Sequence, residues 1–355
     1  MRLSTALAIL AAAAAAAMTA QQVPERPGGY REEARVERVV VDAYVTGSDG
    51  EPIPYLTAAD FRLEVDGRRV PIESAEWVPA DLPEVPPLLP LPYGPAPESF
   101  EPQAPGDPYP PGRLLIFFFQ TNFVPSRLIG FVRMARQAHR FVETLLPTDR
   151  VAVLSFDSHL KLRQDFTGDR AKIDAAIDQA IRTGPPPPPD PGASPSLARH
   201  FDFYGAKKTV TPERSLLLIA RAVQSIPGAK SMLYFGWGLG TIGGLGGPIA
   251  TEQRDYFAAM RRIAAARINI FTLDVSDADY HSLEGSLRVV ADATGGLYQK
   301  THIFPRLAMD RVRRAISGRY VLVFRAPEGP RGFHSIGVEL VGRKGRVTAR
   351  TYYED

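Results

Sequence analysis

The sequence predicts an α/β protein in which a doubly wound, mostly parallel sheet is inserted into a small β-sandwich built from both termini. Three observations support this prediction. The middle of the chain alternates short apolar strands with amphipathic helices, a pattern typical of a parallel sheet covered on both faces. Strand-like segments lie at both ends, and neither group is large enough to bury a core alone. A proline-rich stretch separates the first group from the alternating region.

The first twenty residues are predicted to be a secretory signal peptide. Arg2 precedes an uninterrupted apolar run over 6–18, and the small residues Thr19 and Ala20 follow. Because the charged segment 24–38 comes next, the apolar run is too short for a convincing bilayer span. An N-terminal anchor that stays uncleaved is the alternative. We therefore expect a secreted or periplasmic protein whose mature chain has no membrane span.

The composition excludes several classes of function. The 355 residues contain no Cys, which excludes disulfides, thiol catalysis and Cys-ligated metals. The formal net charge is only +3, and the basic residues are dispersed among acids, so nucleic acid is not an expected partner. The His residues do not have metal-ligand spacing.

The two ends of the chain are predicted to build the sandwich together. Residues 21–78 supply the N-terminal strands, and Asp66-Gly67 is predicted to be a hairpin turn between two of them. Residues 319–355 supply the C-terminal strands. Residues 79–112 are predicted to be a proline-rich linker. The expected strands are 36–46, 61–65, 70–77, 320–324, 333–341 and 347–353.

Residues 113–318 are predicted to form the inserted α/β domain. The run 114–119 is continuously apolar, as expected of a central strand buried on both faces. A helix is predicted from Leu128, with Leu128 and Val132 on its buried side. Thr211-Pro212 supplies the N-cap and the first position of another helix. Further strands are expected at 151–156, 232–235, 268–273 and 297–300, and further helices at 168–183, 251–265, 282–294 and 305–316.

The ligand-binding face of such a domain lies beyond the carboxyl ends of its strands. The loop after the first strand reads Gln-Thr-Asn-Phe-Val from position 120, and a large aromatic residue follows a later strand. The candidate residues of this face are Gln120, Thr121, Asn122, Thr211, Trp237 and Asp274.

Several stretches follow one another in an order that would rarely arise by chance. They include LLIFFFQTN, DRVAVLSFDSHLKLRQDFTGDRAKIDAAI, MLYFGWGLG and INIFTLDVSDADYHSLEGSLRVVADATGGLYQKT. With them, the chain resembles the von Willebrand factor A (VWA) domain, and more narrowly the exported VWFA-related proteins best known from acidobacteria. The resemblance covers nearly the whole mature chain. It implies a Rossmann-like sheet and a face that binds other proteins.

The resemblance also implies a divalent-metal site, from which this chain departs. Metal-binding members use Asp-x-Ser-x-Ser after the first strand, a Thr from a second loop and an Asp after the fourth strand. Here Gln120 stands in place of the Asp, Asn122 and Val124 replace the two Ser, and residues 236–238 offer no Asp. Mg²⁺ normally requires at least one carboxylate. We therefore expect a degenerate site with neither metal nor cofactor.

The sequence thus predicts a non-enzymatic interaction or adhesion module for an exported or cell-surface protein. One alternative is an unusual divalent-cation site built from Gln120, Asn122 and Thr211. Another is a nucleotide-binding or hydrolytic enzyme that uses the glycine-rich loop 238–247. That loop matches Gly-x-Gly-x-x-Gly, but the next helix begins too late to receive a phosphate. The segment 155–159 contains Ser, Asp and His without a nucleophile elbow.

Overall fold

The computed structural model describes residues 38–80, 112–122, 128–182, 184–188, 195–242, 248–249 and 253–354. The predicted signal peptide and most of the predicted linker lie outside these residues. From Arg38 onward the chain forms one compact unit. Across the described ranges, no helix is both long and apolar enough to cross a membrane.

The described strands and helices follow the predicted alternation. The strands are β1 (Arg38–Thr46), β2 (Phe61–Val65), β3 (Arg68–Val70), β4 (Ile72–Pro79), β5 (Leu114–Gln120), β6 (Arg150–Phe156), β7 (Leu160–Thr167), β8 (Lys230–Gly236), β9 (Thr241–Ile242), β10 (Pro248–Ile249), β11 (Ile268–Asp274), β12 (Tyr298–Lys300), β13 (Gly318–Arg325), β14 (Phe333–Leu340), β15 (Arg346–Ala349) and β16 (Tyr352–Glu354). The helices are α1 (Leu128–Glu143), α2 (Arg170–Arg182), α3 (Phe203–Ala206), α4 (Pro212–Val223), α5 (Gln253–Ala265), α6 (Glu284–Thr294) and α7 (Pro305–Ala315).

The central sheet has the strand order β12-β11-β8-β5-β6-β7. All neighbouring strands are parallel except β6 and β7, and every residue of β5 is buried. The fold class predicted from the sequence is therefore confirmed. The edge strand β7 was not predicted, although its apolar residues alternate with charged ones, which is the usual pattern of a strand. The burial of those charged residues could not be foreseen from the pattern. Among them, Arg163 donates from Nη1 to the carbonyl of Gly184 at 2.6 Å.

The helices cover both faces of this sheet. Helices α4 and α5 pack on one face, whereas α1, α2 and α7 pack on the other. The predicted buried stripe of α1 needs a correction, because Leu128 and Val132 are 47% and 49% exposed. Phe131, Met134 and Ala138 fill the sheet-facing side instead. Positions 128 and 132 share the outer edge of the helix with Arg136, which is also exposed.

The β-sandwich combines strands from both ends of the chain, as predicted. One sheet has the order β15-β1-β13-β4 and the other β16-β14-β2-β3. Asp66 and Gly67 have φ of +50° and +73°, which suits the predicted hairpin turn. Two predicted strands, 70–77 and 347–353, are each divided in two. The division is needed because β3 and β16 belong to one sheet whereas β4 and β15 belong to the other.

The sandwich meets the amino-terminal edge of the central sheet through buried polar contacts. Asp42 accepts hydrogen bonds from Arg267 at 2.6 and 2.9 Å and from Arg319 at 3.2 Å. The hydroxyl of Tyr44 lies 3.2 Å from that of Ser231, at the start of β8. The carboxyl-terminal edge, where the sequence places the candidate site, is the opposite edge of the sheet.

Candidate functional site

The candidate residues of the first loop, which follows β5, and of the third loop, which follows β8, meet in one buried hydrogen-bond network. Gln120 ends β5 and is fully buried. Its Oε1 accepts from the Tyr234 hydroxyl at 2.9 Å, the Trp237 amide at 3.0 Å and the Gly238 amide at 3.3 Å. Its Nε2 is buried without a hydrogen-bond partner. A Cβ at Gly236 would lie 2.6 Å from Oε1, so the glycine provides the space for this amide.

Trp237 is packed inside the domain and does not form an exposed anchor. Only 7% of its surface is exposed, and its indole Nε1 donates to Oδ1 of Asn122 at 3.2 Å. Thr121 is fully buried, and its amide donates to the carbonyl of Phe156 at 2.6 Å. These residues therefore support the carboxyl edge from below, and a partner could not touch Gln120, Thr121 or Trp237 without rearrangement.

The threonines of the second loop have structural partners. Thr211 is the N-cap of α4, as predicted, and its Oγ1 accepts from the amide of Arg214 at 3.3 Å. Thr209 accepts from the amide of Leu160 at 2.7 Å and donates to the carbonyl of Ala206 at 2.8 Å. The second loop is thereby tied to the turn between β6 and β7.

Asp274 lies at the end of β11 in a buried polar cluster that the sequence reasoning missed. Its Oδ2 is 2.9 Å from Nε2 of His281 and accepts from the Tyr298 hydroxyl at 3.0 Å, while its Oδ1 accepts from the Ser276 amide at 2.9 Å. Burial raises the pKa of Asp274, but the His281 and Ser276 hydrogen bonds outweigh burial and hold the pKa below its ordinary value. Burial and Asp274 raise the pKa of Tyr298. The signal in the sequence for this cluster was a His seven residues after an Asp that ends a strand.

These groups fit a divalent cation poorly. Oε1 of Gln120 already accepts three hydrogen bonds, Oδ1 of Asn122 accepts one, and Asp274 is surrounded by donors. The unpartnered Nε2 of Gln120 is a donor and would repel a cation. In the part of the chain that the structure describes, no group of three or more His, Asp or Glu residues is placed to hold a metal.

Ser155, Asp157 and His159, which the sequence places close together, do not assemble into a nucleophilic site. Ser158 lies between the side chains of Asp157 and His159, with its Oγ 3.0 Å from Nδ1 of His159 and donating to Oδ1 of Asp157 at 3.1 Å, so that His159 and Asp157 contact the same hydroxyl and no relay from Asp157 through His159 forms. The buried Ser155 hydroxyl accepts from Nε of Arg163 at 2.8 Å, and Asp157 forms an ion pair with Lys161. No hydrogen bond joins Ser155 to Asp157 or His159. The pKa of His159 is lowered by burial and by the neighbouring cation of Lys161.

The described part of the glycine-rich loop faces a carboxylate. The amide of Gly240 donates to Oε1 of Glu213 at 2.5 Å, and burial raises the pKa of Glu213. Gly238 has φ +144°, and a Cβ there would lie 2.4 Å from Cβ of Leu283. Residues 243–247 lie outside the described residues. An anionic phosphate at Gly240 would compete with Glu213 for the same amide.

Exposed apolar side chains, which the sequence reasoning did not assign to the site, lie at the carboxyl edge. They follow β5, β11 and β12 or precede α4, and Tyr280 and Val210 are 78% and 80% exposed. Arg133 ties these loops together, because its Nη1 donates to the His302 carbonyl at 2.6 Å and to Asp277 at 3.2 Å. The signal in the sequence for this surface was the presence of apolar residues in segments that follow strands. The members of this surface, here called the carboxyl-edge surface, are Leu128, Ile129, Tyr204, Val210, Tyr280, Ile303 and Phe304.

No protein-family model matches the chain, and no curated protein matches it. Similar solved structures include an aerotolerance-related membrane protein from Bacteroides fragilis, which is 13% identical with a TM-score of 0.38, over 58% of this chain and 98% of that chain. BatB from Bacteroides thetaiotaomicron is 13% identical with a TM-score of 0.38, over 57% and 98%. A von Willebrand factor type A protein from Catenulispora acidiphila is 11% identical with a TM-score of 0.40, over 85% and 76%. The function must therefore be argued from the residues of the site.

Proposed function

We propose that this chain is an exported, VWA-like interaction module that binds another exported or cell-surface protein through the carboxyl-edge surface, with neither metal nor catalysis. The observation that supports this proposal most directly is the exposure of large apolar side chains on separate loops and helices at one edge of the sheet. Exposed apolar side chains that share one surface typically mark interaction sites.

Polar contacts hold the segments at this edge of the sheet, and those of Gln120 are buried. Gln120 joins the first loop to the third, and Arg133 joins α1 to the loops after β11 and β12. A surface held in this way loses little conformational entropy when a partner binds. Aromatic and aliphatic side chains such as Tyr280 and Phe304 are then suited to act as anchors in pockets of the partner.

The polar groups beneath the surface support a binding mode without a shared cation. A cation that bridges two proteins needs an open coordination position and anionic oxygens. Gln120 and Asn122 are neutral, and their oxygens accept internal hydrogen bonds. Export is proposed from the apolar segment at the N-terminus, which follows Arg2 and ends in small residues.

The proposal is tested by site-specific photo-crosslinking in an envelope extract. A photoreactive amino acid replaces Tyr280 in the mature chain, and the matched control carries it at Tyr55, an 86% exposed residue of the sandwich region. We expect one predominant crosslinked protein from position 280 that is absent from position 55 and equally abundant in EDTA and in Mg²⁺.

Identical products from both positions, or no product from position 280, would refute the carboxyl edge as the binding surface. Loss of the product in EDTA would refute the metal-free mode and favour the divalent-cation alternative. If the same protein bound or hydrolysed a fluorescent nucleotide, the non-enzymatic assignment would be refuted in favour of the nucleotide-binding or hydrolytic alternative.

A further inference from the structure

We infer that a groove between α4 and α5 binds an acidic, amphipathic peptide segment of a partner protein. The groove has a volume of about 590 Å³, and Leu217, Arg221, Phe257, Arg261 and Arg262 line it together with Glu354. Both helices end here and lead toward the amino-terminal edge of the sheet. The groove therefore lies apart from the carboxyl-edge surface, and the inference does not depend on the proposed function.

The charges of the groove are unbalanced. It presents three guanidinium groups and one carboxylate, and Nη1 of Arg261 lies 3.6 Å from Oε1 of Glu354. Among the described residues, no carboxylate forms an ion pair with Arg221 or Arg262, and Arg262 donates only to the neutral Gln224 at 3.3 Å. Two exposed guanidinium groups thus remain available for carboxylates, which they bind in bidentate geometry.

The groove is also apolar. Phe257 is 55% exposed beside the arginines, and the buried Leu217 forms part of the floor. The guanidinium of Arg261 lies 4.8 Å from the ring centroid of Phe333, a second half-exposed aromatic residue. Arg221 and Arg262 lie in the last turns of their helices, where a cation interacts favourably with the helix dipole. This interaction accounts for the presence of the two arginines. It does not account for the exposed aromatic ring of Phe257 next to them.

This combination favours a peptide over other anions. A nucleic-acid duplex or a sulfated polysaccharide would neutralise the arginines but would leave the Phe257 ring and the Leu217 floor without an apolar partner. A single strand would stack a base on Phe257 but would leave the Leu217 floor uncovered, and competition by a single-stranded oligonucleotide tests for this occupant. A peptide in which Leu or Phe side chains alternate with Glu would use both features at once. The volume of the groove lies within the usual range of about 300–1,000 Å³ for ligand sites.

The test measures fluorescence anisotropy of a labelled peptide with alternating Glu and Leu or Phe residues, titrated with the mature chain. We expect Arg221→Glu to weaken binding about tenfold or more, because a charge-assisted contact is replaced by a repulsive one. Phe257→Ala should weaken it several-fold. The same peptide with Gln in place of Glu should not bind measurably. Binding of the Glu peptide should weaken as salt rises.

The matched control is Arg136→Glu, which makes the same charge change on α1, a helix that covers the opposite face of the sheet. It should leave binding unchanged. The neutral variant Arg221→Gln, with a melting temperature equal to that of the parent, separates lost binding from lost folding.

Three results would overturn the inference. The first is the absence of peptide binding at about millimolar protein concentrations. The second is equal weakening by Arg136→Glu and Arg221→Glu. The third is competition by oligo-glutamate, a sulfated oligosaccharide or a single-stranded oligonucleotide that matches competition by the unlabelled peptide, since a polyanion would then be the ligand.

Discussion

Replacing Gln120 by Leu should destabilise the protein by about 3 kcal/mol. Leu has a volume similar to that of Gln but no hydrogen-bonding group, so that the lost polar contacts dominate the cost. Three buried donors lose their acceptor: the hydroxyl of Tyr234 and the amides of Trp237 and Gly238. Each buried donor left without a partner costs about 1–3 kcal/mol, and the lower part of this range, about 1–1.5 kcal/mol, applies because two of the three bonds are 3.0 Å or longer. Removal of the unpartnered Nε2 of Gln120 offsets about 1 kcal/mol of this cost.

The measurement is the free energy of unfolding from urea titrations of the parent and the variant, followed by tryptophan fluorescence. The melting temperature should fall by about 5–10 °C. A double-mutant cycle with Tyr234→Phe sharpens the test. In the parent this second change should cost about 1 kcal/mol, whereas in Gln120→Leu it removes an already unpaired hydroxyl and should cost nothing.

A loss below about 0.5 kcal/mol for Gln120→Leu would show that the three donors find other acceptors. Equal costs of Tyr234→Phe in both backgrounds would show that the Tyr234 hydroxyl and the Gln120 amide are not coupled. Either result would refute Gln120 as the link between the first and third loops.

Two further predictions concern metal and pH. Melting curves in EDTA and in millimolar Mg²⁺ or Ca²⁺ should overlay, because a cation bound at a hundredfold excess over its Kd would add about 2.7 kcal/mol to stability; an upward shift that disappears in Gln120→Ala would contradict this. Burial lowers the pKa of Lys230 to about 8. The pKa of this side chain in the unfolded state is about 10.4, so between about pH 8 and 10.4 the unfolded state binds more protons than the folded state. The free energy of unfolding should therefore rise with pH in this range, and urea titrations of Lys230→Met should show a smaller rise.

Much of the architecture could be predicted from local patterns. The uninterrupted apolar run of β5 indicated a strand buried on both faces, and every residue of β5 is buried. Thr211 caps α4 and Asp66-Gly67 forms the hairpin turn, because the conformations of caps and turns depend on residues within a few positions. The strands at the two ends pair with each other, since neither group could bury its apolar face alone.

The predictions failed where neighbours distant in sequence decide the environment. The sequence analysis did not assign β7, and Arg163 is buried there because Ser155 and Gly184 supply acceptors from other segments. Leu128 fits a buried stripe by its spacing, yet the packing of α1 leaves it at the exposed outer edge.

The sequence by itself determined the layers of this protein and the absence of a carboxylate at position 120, because periodicity and residue chemistry are local properties. Only the tertiary structure decided that Gln120 and Trp237 lie beneath the carboxyl edge while Tyr280 and Phe304 form its surface. The physical reason is that the exposure of a side chain depends on which distant strand or loop packs against it. Neither apolar character nor position after a strand specifies that neighbour.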